Sequence, residues 1–390
     1  MHFINYILRL VLLTLLLLNV SSNSVYAAHN PLESLNNRFG VHILFTSEVV
    51  DAAKLVNSSN GDWGYITIPI QVYDKDLVKW QIFMDQAKKY HLIPIIRLAT
   101  NGDYFNTSVW HKPNEGDVLD FANFLNSLTW PTENKYIIVF NEVNRGDEWE
   151  GSPNPEEYAK LLSYAVSVFK SKDPNFFIIS AGLDNAAPNE SGKYIDEYTF
   201  YKRMNQSVPG IFNQIDGFSS HSYPNPGFKQ PPTVLTNKSI SSFKYEKEYL
   251  QTMTNKDLPV FITETGWSTE SISDNQSAEY YKEAYTNIWN DPSIVAITPF
   301  ILNAGTPPFS QFSLINVNGS MSKRYNVIKD LPKVKGEPIL TNIKSVLGET
   351  ILSYALPTKN FTKYQIDTDV NGKNKGNAAK KFLKWLLNVR

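Results

Sequence analysis

The chain of 390 residues contains no cysteine. Disulfides, thiolate nucleophiles and cysteine-held metals are therefore excluded, and stability must come from a hydrophobic core, which a chain of this length can supply. Neither sign of charge is in excess: 37 Lys and Arg against 38 Asp and Glu give a formal net charge of −1. No global field draws in nucleic acid or an anionic membrane surface, and no nucleic-acid partner is expected. The six histidines are scattered without metal-site spacing. A His-Glu-x-x-His helix, a glycine-rich phosphate loop and a Gly-x-Ser-x-Gly elbow are all missing, so neither metal nor cofactor is expected.

Long apolar runs are missing too, except near the N-terminus. There Arg9 precedes an apolar run of 11 residues, 10–20, short of the ~20 that a spanning helix needs. A small, polar stretch follows and ends in Val25-Tyr26-Ala27-Ala28. The pattern predicts an export signal over residues 1–28. It implies a secreted or cell-surface protein, associated with a membrane only if that segment stays uncleaved.

Aromatic residues, by contrast, are plentiful: 21 Tyr, 22 Phe and 8 Trp. From residue 38 onward, short apolar runs alternate with longer amphipathic ones. Strand-like runs fall at 39–44, 65–70, 93–98, 136–140, 176–181, 215–219, 259–263 and 294–301. They are rich in Val, Ile and Phe with little polar alternation, as parallel strands buried on both faces require. Between them lie helical patterns, among them 76–90 and 155–170, the second opening on Pro and two Glu. Eight such units predict an α/β fold of the TIM (β/α)8 barrel type over residues 29–332, although an open doubly wound sheet shows the same alternation. Residues 333–390 read as a C-terminal appendage: a small β-containing segment, then a basic amphipathic helix at 380–389, expected to dock on the barrel.

Two glutamates each end an apolar strand. Glu142 closes Tyr136-Ile-Ile-Val-Phe140-Asn141, the fourth run, and Glu264 closes Pro259-Val-Phe-Ile-Thr263, the seventh. In a barrel the C-terminal strand ends converge on one face, where active sites are built. Residues 122 positions apart (264 − 142) then face each other across the mouth. Glycoside cleavage needs such a pair, one carboxylic acid to protonate the leaving oxygen and one carboxylate to attack or stabilise the anomeric carbon. The acid must stay protonated near neutrality, which predicts a raised pKa for Glu142. Arg97, at the end of the third run, needs a carboxylate partner if buried, and pairing would keep that carboxylate ionised. The acidic cluster Asp147, Glu148 and Glu150 reads as a solvated loop.

Phe140-Asn141-Glu142-Val143 and Ile262-Thr263-Glu264-Thr265-Gly266-Trp267 resemble the acid/base and nucleophile signatures of the clan A retaining glycoside hydrolases. The resemblance covers roughly residues 38–332. It implies Glu142 as acid/base, Glu264 as nucleophile, and Asn141 on the 2-hydroxyl of the sugar being cleaved. Ser220-His221-Ser222-Tyr223 resembles the clan's His-x-Tyr after the sixth strand, with Tyr223 holding the nucleophile and His221 orienting it or touching substrate. Arg97 matches an arginine that the clan usually carries on the second strand. Clan members often place a Trp after the eighth strand as a floor under the sugar. Here Thr298-Pro299-Phe300-Ile301 stands instead, so Phe300 or Trp267 must serve, with Trp149 a further stacking candidate. The Asn-Glu-Val and Glu-Thr-Gly-Trp wording is similar to β-1,3-glucanases, the His-x-Tyr to cellulase-like and β-xylosidase-like families. The implied partner is a polysaccharide or oligosaccharide, cleaved by double displacement. A transglycosylase and a non-catalytic carbohydrate-binding barrel are the alternatives.

Overall fold

A computed structural model of the chain describes residues 28–102 and 110–341. Residues 1–27, on which all but the last residue of the expected export signal falls, residues 103–109 and the expected extension from 342 onward, with its helix at 380–389, lie outside the described residues. Eight strands follow one another: β1 Gly40–His42, β2 Gly64–Gln71, β3 Leu92–Ala99, β4 Lys135–Ile138, β5 Phe176–Ile179, β6 Phe218–His221, β7 Val260–Glu264 and β8 Ile294–Ile297. Sequential neighbours pair in parallel from β1 to β5 and from β6 to β8. Parallel bridges Ile179↔Gly217 and Phe39↔Ile297 join the two arcs. The sheet therefore closes on itself, a barrel rather than an open sheet.

A helix follows each strand: α1 Val49–Val56, α2 Leu77–Lys89, α3 Glu115–Ser127, α4 Pro155–Lys172, α5 Glu197–Ser207, α6 Ser242–Gln251, α7 Asp274–Glu283 and α8 Lys323–Asp330. Their starts follow from the sequence. The Asp76 carboxylate accepts from the amides of Val78 and Lys79 at 2.9 and 3.1 Å. Asn154 caps the amide of Glu157 at 3.1 Å, with Pro155 supplying a fixed first φ. Such caps each contribute about 1 kcal/mol.

Most strands are apolar on both faces because each face meets a different core, whereas β6 carries Ser219, Ser220 and His221. Outward, Ile66, Ile68 and Ile70 pack with Leu55, Trp80 and Phe83 of the helical ring. Inward, Tyr65, Tyr136, Phe177 and Phe261 fill the lower barrel, with Tyr136 and Phe177 both 5.6 Å from Phe261. Above them the lining turns polar: Thr67 and Thr298 share a hydrogen bond at 3.0 Å, and Ser219 bonds Thr263. This polar layer supports the upper rim.

The opposite, N-terminal rim is tied by the chain's outer segments. Asn134 clamps the His29 backbone, accepting from its amide at 2.9 Å and donating to its carbonyl at 2.8 Å. Residues 333–341 cross the same rim through bridges Asp62↔Lys335 and Thr132↔Leu340. The Lys333 ammonium donates to the carbonyls of Ile328, Lys329 and Leu331 at the end of α8. Among the described residues, no helix is long and apolar enough to cross a membrane.

Candidate active site

Beyond β4 the chain turns sharply. Phe140 and Glu142 take φ of +70° and +36°, a left-handed region that costs non-glycine residues about 1–3 kcal/mol and concentrates at functional turns. The turn is held by the Glu142 amide, which donates to the Gly182 carbonyl at 2.9 Å. It aims the Glu142 carboxylate inward, where Oε1 lies 3.0 Å from His221 Nδ1 and Oε2 accepts from Arg145 Nη1 at 2.8 Å. Gly182, just past β5, lies against the His221 ring. A Cβ there would come within 2.2 Å of Cδ2, so glycine leaves the imidazole its place.

Glu264, the last residue of β7, faces this group. Its Oε1 accepts from Arg97 Nη1, and its Oε2 accepts from the Tyr223 hydroxyl at 3.1 Å. Arg97 also donates to Asn141 Oδ1 at 2.7 Å. One guanidinium thus fixes both the Glu264 carboxylate and the Asn141 amide next to Glu142. An oxygen of Glu142, an oxygen of Glu264 and a ring nitrogen of His221 lie within 4.8 Å of one another. That spacing could also admit a divalent cation, but Arg97 and Arg145 already bond the two carboxylates and would repel it. His42, at the end of β1, is fully buried with Nε2 3.7 Å from Glu264 Oε1. Burial and the nearby Arg97 and His221 hold its pKa well below the usual imidazole value, so it stays neutral.

The protonation pattern corrects one sequence expectation. Burial pushes the Glu142 carboxyl up, but the Arg145 guanidinium and the His221 hydrogen bond outweigh it. The group ends below the ordinary glutamate value, not above it. His221 moves the other way: burial opposes its charge, but the carboxylates of Glu264 and Glu142 prevail and raise it. Of the two groups, the imidazole is therefore the stronger base. Burial and the Glu264 charge keep Tyr223 a neutral phenol far above its usual pKa. Replacing Arg145 by Gln removes the largest influence lowering Glu142. The alkaline limb of kcat/KM, which falls as the general acid deprotonates in the free enzyme, should move upward by about 1–3 pH units. An unchanged limb in the pH profile would show that Arg145 does not tune the acid.

The structure brings Arg97, Asn141, Glu142, His221, Tyr223 and Glu264 together and excludes Trp267 from the site. The Trp267 indole is fully buried, with Tyr281 and Trp289 at ring distances of 4.9 and 6.1 Å and Nε1 bonded to the Gln230 carbonyl at 2.8 Å. After Glu264 the chain passes Gly266, at φ +153°, and the indole enters the helical layer, where no sugar reaches it. Trp267→Ala should cost about 3–5 kcal/mol of stability in chemical denaturation, while KM stays near the parent value. Trp149 is likewise buried, edge-on to Tyr158 at 5.9 Å. Phe300 does stand at the eighth strand end, 5.1 Å from the His42 ring. The acidic cluster divides: Glu150 is exposed, Asp147 pairs with Arg145 at 2.7 Å, and Glu148 turns in to Asn141, not out to solvent. Arg145, His42 and Glu148 were missed from the sequence. A basic residue three places after the acid was the one available signal for Arg145.

A closed (β/α)8 barrel with paired strand-end glutamates at its mouth is the architecture of the clan A glycoside hydrolases. Similarity agrees. The model of the family described as glycosyl hydrolase catalytic core matches residues 98–327, well over half of the chain, and the protein belongs to that family. It is a glycosidase by family. No curated protein sequence matches this chain. Among solved structures, a family 39 glycoside hydrolase from Bacteroides cellulosilyticus WH2 is 17% identical with a TM-score of 0.53; the match covers 79% of this chain and 66% of that one. A GH5_18 protein from Streptomyces cattleya, solved with GlcNAc, is 15% identical with a TM-score of 0.53, covering 76% and 80%. A GH5_18 protein from Bifidobacterium longum subsp. infantis is 11% identical with a TM-score of 0.52, covering 76% and 78%. At these identities the likeness is one of fold.

Proposed function

We propose that the protein hydrolyses a β-linked glycan or glycoside with retention of configuration, by double displacement. The observation that supports this reading is that the two strand-end carboxylates face each other closely, one oxygen of Glu142 and one of Glu264 lying within 4.8 Å. A retaining pair sits at about 5–5.5 Å, whereas an inverting pair needs about 6.5–9.5 Å to admit a water between them. Glu264 attacks the anomeric carbon, forming a glycosyl ester as the C–O bond to the leaving group breaks. Glu142 delivers a proton to that oxygen. Because its two oxygens rest on His221 and Arg145, the proton reaches Glu142 from the imidazolium as substrate enters. Glu142 then takes a proton from water, whose oxygen attacks the same carbon and frees Glu264. Arg97 and Tyr223 hold the Glu264 oxygens, and Asn141 offers an N–H to the sugar hydroxyl next to the reacting carbon. The same reading places the protein outside the cytoplasm, supported by the export-signal pattern of residues 1–28.

The test is product release by the protein from residue 29 onward on β-glucans, mannans, xylans, galactans and aryl β-glycosides, followed by proton NMR. The first anomer to appear should be β. An α-anomer released first would overturn retention, and silence from the folded protein across the panel would favour a carbohydrate-binding barrel.

A further inference from the structure

Asn141 is held at both ends of its amide. A guanidinium only donates, so the Asn141 oxygen must face Arg97, at 2.7 Å. The amide nitrogen then faces Glu148, donating to Oε1 at 3.1 Å. That second bond spans a sharp return of the chain. After the strained turn at Glu142, a short 3-10 turn over Gly146–Glu148 doubles back so that Glu148 reaches the residue preceding the acid. The loop is pinned in place by the Trp110 amide donating to the Asp147 carbonyl at 2.7 Å and by the Glu150 amide donating to the Trp110 carbonyl at 3.0 Å.

Between these groups lies a pocket of ≈ 30 Å³ lined by Arg97, Thr100, Trp110, Phe140, Asn141 and Glu148. Its size suits one or two waters or a sugar hydroxyl, not a sugar ring. The lining is polar where Arg97, Asn141 and Glu148 meet and aromatic on the Trp110 side.

We propose that Glu148 is a positioning residue, fixing the Asn141 amide and completing with Trp110 a pocket for a free sugar hydroxyl beside the cleaved bond. This rests on the glycosidase reading of the same site. The surroundings suit the role. Packing around the Glu148 carboxyl and the negative charges of Asp147 and Glu142, only partly offset by Arg145 and Arg97, push its pKa up to about 8. At neutral pH it is an uncharged acid that accepts from Asn141 through one oxygen and has a hydroxyl to donate. Glu148 then adds no further negative charge to that of Glu264 beside Glu142.

Kinetics of Glu148→Ala, Glu148→Gln, Asn141→Ala and the double variant Asn141→Ala/Glu148→Ala decide the matter. They are run on whichever panel substrate shows release that depends on Glu264, so failure of the glycosidase reading is seen first and separately. Misplacing a group by about 1 Å costs up to about 100-fold. Glu148→Ala should therefore lose roughly 10- to 100-fold in kcat/KM, with Glu148→Gln, a neutral isostere with an acceptor oxygen, recovering most of it. The double variant should be no worse than Asn141→Ala alone. Crystal structures of the parent and Glu148→Ala should show the Asn141 amide displaced in the variant. Additive losses, no recovery by Gln, or an unmoved Asn141 amide would each overturn the proposal.

Discussion

Glu264→Gln is expected to lower kcat/KM by about 10⁴-fold or more, with folding and sugar binding intact. The substitution keeps shape and length, so Arg97 can still donate to the side-chain oxygen, and the Tyr223 hydroxyl, which now donates to Oε2, can accept from an amide instead. What disappears is the carboxylate that forms the glycosyl ester, for which an amide is no substitute. Initial rates on the best panel substrate measure the loss, and calorimetric titration with the corresponding oligosaccharide measures the binding. A variant within tenfold of the parent would remove Glu264 from the nucleophile's position and, with it, the double-displacement mechanism.

Glu142→Ala should separate the two halves of the reaction. General acid–base assistance contributes about 10²–10⁴-fold, and the first step needs it only when the leaving group is poor. On a dinitrophenyl glycoside, glycosylation proceeds and the intermediate accumulates, giving a burst of phenolate followed by slow turnover. Azide fills the space the carboxylate vacates and needs no deprotonation to attack. It should restore turnover and produce a β-glycosyl azide. Recovery of the α-azide, or no rescue on such a substrate, would mean that Glu142 does not work on the face opposite Glu264. The neighbouring Arg145 leaves a charge behind in this variant, which favours an entering anion.

Strand identity was legible because burial on two faces leaves an unbroken apolar run, and the eight runs fall where the strands do, within a few residues. Closure was not legible. It depends on Phe39 meeting Ile297 and Ile179 meeting Gly217, pairings between residues whose local sequence would serve an open sheet equally well. Glu142 and Glu264 were legible as a pair: one charged residue ending an apolar strand can simply cap or pair, but two, after the fourth and seventh strands, converge on one face of a barrel. Trp267 misled for a related cause: a motif gives order along the chain, and the direction of a side chain three residues past a strand end depends on the intervening turn. The sequence shows a run of acids at Asp147, Glu148 and Glu150, but a charge cluster carries no mark of which member folds back. The acid's lowered pKa was hidden for the same reason. It follows from Arg145, whose approach to Glu142 depends on a turn with positive φ at a non-glycine residue, and side-chain pattern does not announce that.

The Asn134 clamp on His29 and the strap of residues 333–341 both lie on the rim opposite the catalytic mouth. A parallel barrel has two unlike faces, and here the candidate site opens on one while the chain's outer segments cross the other. Fixing the protein to a bead, a fusion partner or a wall polymer through either segment would leave the mouth pointing outward. Long insoluble glycans, which cannot diffuse to a buried orientation, would then still meet the cleft.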